Sequence, residues 1–398
     1  MSTCPKLLAV VAGTFLSLVT INVNSAQAGN FTFTKIADSR DFTSVGGGPI
    51  NDNGTVAFAV SGADDFGLPS TGIFTSNGGA FTTVVNFNLG YNTINGIAIN
   101  NSGSVAFANN ILPREGLFIS NGQNVSTVAR PSDNLFTVNL SSNAFNDSGT
   151  VVFRTFDAIV TGNGGPLTTI VDTSGPFQFF SQDPVINNAN VVAFQADLKD
   201  GRQGVFTSKD GTITTIADNT SSLLGGFSEL DINNKETVIF SASLENGVGG
   251  IFIGDGETIT TIADTSGLFS RFSRLAINDN NQVAFNGQLR DGAENVFADG
   301  IFTGSDPVAD KVIGIGDSLL GGTVTNIFFS GGLNNSGQIS FYAEYIDDTG
   351  NTITGVFRAD PVLESVPEST STLGLLAVGT LGTGVVLKRK LNNVSTLK

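Results

Sequence analysis

Short runs in which bulky apolar residues alternate with small ones recur along the chain, each entered through the same polar step. The clearest is Asn51-Asp52-Asn53-Gly54-Thr55-Val56-Ala57-Phe58, and it returns as Asn100 to Phe107, Asn146 to Phe153, Asn187 to Phe194, Asn233 to Phe240, Asn278 to Phe285 and Asn334 to Phe341. All seven copies begin with Asn and end with Phe. A second signature follows, Gly-aliphatic-Phe, at Gly72-Ile73-Phe74, Gly116-Leu117-Phe118, Gly204-Val205-Phe206, Gly250-Ile251-Phe252, Gly300-Ile301-Phe302 and Gly355-Val356-Phe357. The third copy has Ala158-Ile159-Val160 instead, arriving early, which predicts a shortened loop. A third segment is clearest as Thr168-Thr169-Ile170-Val171-Asp172, Thr214-Thr215-Ile216-Ala217-Asp218 and Thr260-Thr261-Ile262-Ala263-Asp264. Each repeat thus offers four β-prone runs, as at 227–232, 237–244, 250–254 and 258–263. A period of about 45 residues carrying four strands is the length of a propeller blade.

The details support hairpins stacked face to face. Asn-x-x-Gly suits a tight turn, since Asn bonds its own backbone and the fourth position is Gly54, Gly103, Gly149 or Gly337, with Asn190 and Asn281 in two other copies. Both residue types tolerate positive φ; Glu236 in the fifth copy is the exception. Past the turn, Val56, Phe58 and Val60 alternate with Ala57 and Ala59, so both faces are apolar. That fits a blade covered on both sides, with Phe of one blade filling against Ala of the next. The last repeat ends at Gly355 to Ala359 without its third segment, and the missing strand stands at the start of the chain as Phe33-Thr34-Lys35-Ile36-Ala37-Asp38. The expectation is an all-β, seven-bladed β-propeller of four-stranded antiparallel blades over residues 29–360, closed by the N-terminal strand.

Both ends read as signals. Lys6, an apolar stretch from Leu7 to Val19 and the small-x-small step Ala26-Gln27-Ala28 form a secretory signal over 1–28, cleaved by signal peptidase at Ala26 and Ala28. Within the segment 361–398, residues 369–387 carry no charge and stop at Lys388-Arg389-Lys390. At about 1.5 Å per residue such a helix reaches roughly 28 Å, enough to cross the apolar part of a bilayer, with the basic cluster left cytoplasmic.

Val366-Pro367-Glu368, a Ser/Thr stretch, the apolar span and the basic cluster together resemble the PEP-CTERM sorting domain. Ser369 stands where that family has a second proline, and Leu391 to Lys398 extends beyond the basic cluster. The resemblance implies handling by an exosortase-type sorting enzyme and delivery to the surface or an extracellular polysaccharide matrix. The repeat itself resembles a bacterial tandem-repeat family named for its NxxGxxAF motif, of the choice-of-anchor kind; Val152, Ile239 and Ser340 replace the motif's Ala in copies three, five and seven. That resemblance implies a repeat fold and surface display, without an established activity.

Composition narrows the chemistry. The chain has no His and no Trp, and its one Cys, Cys4, lies in the signal segment. Ser-His-Asp and Cys-His nucleophile systems, His-ligated metals, disulfides and redox thiols are therefore excluded from the mature protein. The net charge of −16 repels nucleic acid and anionic lipid. Asp52, Asp147 and Asp279 share the second turn position, but no calcium loop with a distal Glu follows, and Asn in the other four copies fits a turn role. No metal or cofactor is expected. Gly46-Gly47-Gly48 and Gly331-Gly332 read as loops, having no following helix to cradle phosphate. Arg271 and Arg274 flank a strand and could pair with an anionic sugar, with an ordinary surface ion pair as the plainer reading. Off-pattern acids are Glu229, Glu236, Glu294 and Glu344, the last beside Tyr345 with Asp347 and Asp348 nearby. The leading expectation is a non-catalytic structural or binding propeller at the surface or in the matrix, binding exopolysaccharide or a surface protein. The alternative is a glycoside hydrolase or lyase using paired carboxylates, which requires at least two of those acids on one face.

Overall fold

The computed structural model describes residues 31–362, apart from 64–68, 87–93, 110–114, 134–139, 221–222, 245 and 291–296. The signal segment with Ala26 and Ala28, the motif Val366 to Glu368, the apolar helix expected over 369–387, the cluster Lys388 to Lys390, and Glu294 lie outside the described residues. No helix among the described residues is long and apolar enough to cross a membrane.

Seven antiparallel sheets follow one another along the chain, one per repeat, as the period predicts. Blade five shows the plan: Leu223–Ile232, Val238–Leu244, Gly249–Gly254 and Ile259–Asp264 pair in chain order. From blade four to blade seven the first strands pack against one another in succession, so these strands line the axis. Blade three keeps Val151–Arg154, Ala158–Gly162 and Thr168–Asp172, preceded among the described residues by the bridge Phe145–Val151. Its early second signature gives the short turn expected, in which the Thr155 N–H donates to the Ala158 carbonyl. In blade four the first strand is broken into Phe177–Phe180 and Val185–Ile186, both paired to Val192–Leu198. Pro184 sits in the gap, where a residue without an N–H costs the ladder nothing.

Blade seven closes the ring. Gly322–Leu333, Ile339–Ile346 and Thr352–Pro361 are completed by Phe31–Asp38, which pairs antiparallel to Thr352–Pro361 with Phe33 opposite Ala359, Lys35 opposite Phe357 and Ala37 opposite Val356. A bulge between Lys35 and Ala37 leaves Ile36 as the extra residue, buried with Val45, Phe58 and Val356. Chain start and chain end therefore share one sheet, and that sheet packs on blade one.

Alternation builds the core as the sequence implies. The first and second Phe signatures face each other across the middle strands of a blade, as in Phe58 with Phe74, Phe194 with Phe206 and Phe240 with Phe252, with ring centroids 6.3, 5.8 and 5.7 Å apart. Between blades, Ala57 shares a cluster with Phe107, Ala193 with Phe240 and Ala284 with Phe341. Each fully buried Phe contributes about 1.5–3 kcal/mol of transfer free energy. Where the motif's Ala is replaced, the substitute has a local job. Val152 packs with Phe194 and Ile239 with Phe285, while the Ser340 hydroxyl donates to the Gly48 carbonyl of blade one over 2.7 Å.

The loop reading holds for Gly46-Gly47-Gly48, which lies outside any strand, and is corrected for Gly331-Gly332. Gly331-Gly332 lies inside the axial strand of blade seven, against Gly46-Gly47-Gly48 of blade one. A Cβ on Gly48 would run into the Ala57 carbonyl, and one on Gly332 into the Ser340 hydroxyl. Glycine is needed here for close approach at the seam. Glu236 does adopt the positive φ of its turn position, 66°, and its carboxylate pairs with Lys209 of the preceding blade.

Candidate functional site

The seven Asn turns meet at one end of the axis, and each does more than turn. Asn51 Oδ1 accepts the N–H groups of Asn53 and Thr55, as a turn residue should, while Nδ2 donates to the Asn100 carbonyl of the next blade. Asn100 repeats this toward Asn146, then Asn187, Asn233, Asn278 and Asn334, and Asn334 donates back to Asn51, all over 2.9–3.2 Å. A second closed circle runs through the next residue: each backbone N–H donates to the side-chain Oδ1 of the following blade in the order Asp52, Asn101, Asp147, Asn188, Asn234, Asp279, Asn335 and back to Asp52.

In that order no two carboxylates are neighbours. Asp52 Oδ2 accepts from Asn101 and Asn335, Asp147 Oδ2 from Asn101 and Asn188, and Asp279 Oδ2 from Asn234 and Asn335. These acids occupy the second turn position, but their oxygens bond the neighbouring blades and not their own turn. Among the described residues no group of three or more His, Cys, Asp or Glu is placed to hold a metal.

Within the bore beside the belt, Asp231 is buried, accepting the N–H groups of Ile232 and Ile277 at 2.7 and 2.9 Å and a hydrogen bond from Asn143. Burial outweighs these donors and pushes its carboxyl up to about 7. Because the folded value lies above the ordinary one, the proton-linked stability is full below about pH 4 and is lost as pH rises through about 7. Thermal melts between pH 5 and 8 are expected to show that loss, of order 3 kcal/mol at most, and Asp231→Asn to flatten the slope; an unchanged slope would show that Asp231 is not its source.

Toward the other end, the axial strands present one position four residues ahead of each leading Asn. Reading round the ring it is Gly47, Gly96, Ser142, Asp183, Glu229, Arg274 and Ser330. Three consecutive blades carry charges there, and the other four carry small residues. Glu229 and Arg274 are the extra residues of matching β-bulges, between Ser228 and Leu230 and between Ser273 and Leu275, with φ of 46° and 54°. A bulge re-aims a side chain, and left-handed non-glycine backbone costs about 1–2 kcal/mol. Strain of this kind is typical of sites that act on something.

Asp183, Glu229 and Arg274 line one cavity of about 510 Å³, with Asn95, Ser141 and Gln182. Glu229 and Arg274 also line an adjoining one of about 290 Å³ that includes Phe328. Across the bore the Ser142 hydroxyl of blade three reaches the Gly331 carbonyl of blade seven, 3.4 Å away. The Arg274 guanidinium lies 5.0 Å over the Phe328 ring, and Arg154 lies 6.0 Å over Phe179 while donating to the Phe180 carbonyl. Both rings remain about half exposed. Burial raises the Asp183 carboxyl above the usual carboxylate range, against the pull of Arg154 and Arg274. Among the described residues, Asp183, Glu229 and Arg274 make no side-chain hydrogen bond or ion pair.

The described acids among those singled out in the sequence, Glu229, Glu236 and Glu344, do not gather. Glu229 faces the cavity, Glu236 sits in the turn at the belt end of the same blade, and Glu344, on the second strand of blade seven, accepts from the Thr325 hydroxyl. Tyr345 is buried and hydrogen-bonded to Arg40, and Asp347 holds its own turn by accepting from Thr349 and Asn351. The two arginines are both exposed residues of one strand, and of them Arg274 lines the cavity. Asp183 joins Glu229 instead, and the sequence reading missed it. The signal was the column four places before Asn, which compares copies at a position the motif leaves unnamed.

Comparison with known proteins adds little beyond architecture. A family model described as a family of unknown function, DUF7453, matches residues 168–330. No curated protein matches. Among solved structures, an oligogalacturonate lyase from Vibrio parahaemolyticus is similar at 10% identity, with 78% of this chain and 97% of that chain covered and a TM-score of 0.46. The β-propeller domain of the Trilobed protease from Pyrococcus furiosus, described as having an open velcro topology, is similar at 11% identity, 83% and 94% coverage and a TM-score of 0.46. The Aleuria aurantia lectin in complex with a methyl fucoside is similar at 12% identity, 83% and 97% coverage and a TM-score of 0.32.

Proposed function

We propose that this chain is an exported propeller, held at the cell surface or released into the extracellular matrix, that binds extracellular polysaccharide at the axial mouth without transforming it. The observation that carries the binding site is the convergence of Asp183, Glu229 and Arg274, with no side-chain hydrogen bond or ion pair among the described residues, on one cavity beside exposed Phe328. Charged groups that line a cavity without internal hydrogen bonds keep their bonding positions open to a ligand. Export rests on the signal features ending at Ala26 and Ala28. Sorting rests on the likeness of Val366-Pro367-Glu368, the apolar span and Lys388-Arg389-Lys390 to PEP-CTERM tails, which makes signal peptidase and an exosortase-type enzyme the processing partners and residues 369–387 the membrane segment. The repeats' likeness to choice-of-anchor NxxGxxAF proteins supports the same address.

One observation favours a second reading: Asp183 and Glu229 line a single cavity, the arrangement a carboxylate-dependent hydrolase or lyase needs. One experiment addresses both. Cells producing the full chain or a chain lacking 366–398 are fractionated, and the protein from each is incubated with matrix polymer. Deletion is expected to move the protein from envelope to medium, and the released protein to sediment with the polymer while leaving its chain length unchanged. Envelope retention after deletion would overturn the sorting reading, failure to sediment would overturn the binding reading, and shortened polymer would establish the enzyme.

A further inference from the structure

The mouth is more selective than a charged patch, and its chemistry names a class of ligand. Two carboxylates and a guanidinium sit on three successive blades, beside the amides of Asn95 and Gln182 and the hydroxyl of Ser141. A carboxylate offers acceptors only and a guanidinium donors only. A matching ligand must therefore donate at two places and accept at a third, within a few ångströms. Net charge decides further. An acidic sugar would meet Arg274 but also Asp183 and Glu229, on a protein of net charge −16. An amino sugar would meet the carboxylates but also Arg274 and Arg154, which already act on Asp183. A neutral polyol meets neither penalty: adjacent hydroxyls donate in pairs to a carboxylate, and a ring or hydroxyl oxygen accepts from the guanidinium.

The remaining surface fits the same answer. A sugar ring has an apolar face of C–H groups, and Phe328, 43% exposed in the adjoining cavity that Glu229 and Arg274 also line, offers an apolar partner on the ring surface that the Arg274 guanidinium leaves free. The volume of about 510 Å³ lies within the range of small-molecule sites, about 300–1,000 Å³. The Ser142 to Gly331 contact crosses the bore, so the site takes a chain end or a short projecting branch and does not thread a polymer through the axis. The bulges and left-handed φ at Glu229 and Arg274 account for how two strand residues come to project into the bore.

We infer that the axial mouth is a subsite for a neutral saccharide bearing adjacent free hydroxyls, with Asp183 and Glu229 accepting from those hydroxyls, Arg274 donating to a ring or hydroxyl oxygen, and Phe328 lying under the sugar's apolar face. This rests on the binding function proposed above for the same mouth. The test is calorimetric titration of the mature protein with neutral glucan, galactan and mannan oligosaccharides, with polygalacturonate and alginate oligomers as acidic probes, and with chitosan oligomers as basic ones. At least one neutral oligosaccharide is expected to bind, with an affinity that changes less than threefold between low and 0.5 M salt. Asp183→Asn and Glu229→Gln, which keep size and shape, are each expected to weaken it at least tenfold, with melting temperatures near the parent's; Phe328→Ala is a third variant that leaves the charges untouched. Binding of acidic oligomers alone, lost in high salt and on Arg274→Gln, would overturn the neutral-sugar assignment and leave the binding function standing, as would binding of chitosan alone. Tight neutral-sugar binding indifferent to all of these substitutions would move the site elsewhere. No binding to any of the three classes would overturn the binding function and the inference together.

Discussion

Removal of Phe31–Asp38 is expected to abolish a soluble, cooperatively melting monomer. Those residues supply the outer strand of blade seven, paired along their length with Thr352–Pro361. They bury Ile36 and Ala37 and pack Phe31 and Phe33 against the blade-seven core. At about 1.5–3 kcal/mol for each large apolar side chain, the loss approaches the roughly 5–15 kcal/mol that holds an ordinary domain together. Loss of the strand would also bare the edge of Thr352–Pro361, whose N–H and C=O groups would then template aggregation. Size-exclusion chromatography and thermal melting check this. A truncated chain that elutes as a monomer and melts like the parent would show that the ring does not depend on its first strand.

Substitution in the Asn belt should produce the largest effect of any single residue. Asn233 is almost fully buried and makes four hydrogen bonds: Oδ1 accepts from Lys235 and Thr237, and Nδ2 donates to the Asn278 carbonyl and to Asn281 Oδ1. Asn233→Ala removes all four, leaves the Thr237 N–H unmatched and the Asn278 carbonyl with the Asn281 N–H alone, at a cost of about 3–5 kcal/mol. At about 2.1 cal/mol/K of unfolding entropy per residue, a propeller of this size shifts by about 1.5 °C per kcal/mol, so the melting temperature should fall by roughly 4–7 °C. Asn233→Asp separates the two roles of the residue. The carboxylate still accepts the turn's N–H groups but faces two acceptors where Nδ2 donated. It should therefore be at least as damaging as alanine at neutral pH and recover in part in acid, where a protonated carboxyl can donate once. Variants melting within about 2 °C of the parent would mean that the belt carries no weight.

How far the sequence discloses these features depends on whether they repeat. The blade period, the facing Phe pairs and the seam strand were legible because seven copies say the same thing, and because the one segment missing from the last copy stands at the beginning. The belt was half legible. A tight turn accepts Asn or Asp equally, so Asp52, Asp147 and Asp279 look interchangeable with their Asn counterparts until the ring makes each the neighbour of the next. Only then does the order of acids and amides separate the carboxylates. The mouth was the least legible. Asp183, Glu229 and Arg274 differ from copy to copy by chemistry, and the bulges that aim two of them into the bore add a residue to the strand, so simple alternation assigns them to the wrong face. Attention to glutamates that break the motif found Glu229 but also Glu236, which is held in a turn by Lys209.

Ring closure carries the belt, the bore and the mouth, and a cysteine pair tests it directly. Thr32 and Asp360 are register partners across the seam, and the Thr32 hydroxyl lies 3.5 Å from the Asp360 carbonyl oxygen. In a chain with Cys4→Ser, so that no other thiol exists, Thr32→Cys and Asp360→Cys are to be oxidised at high dilution, and the products separated without reductant. A closed ring predicts an intramolecular disulfide that forms independently of protein concentration and tethers the two ends of the propeller. Two free thiols, or only disulfide-linked dimers that vanish on dilution, would contradict it.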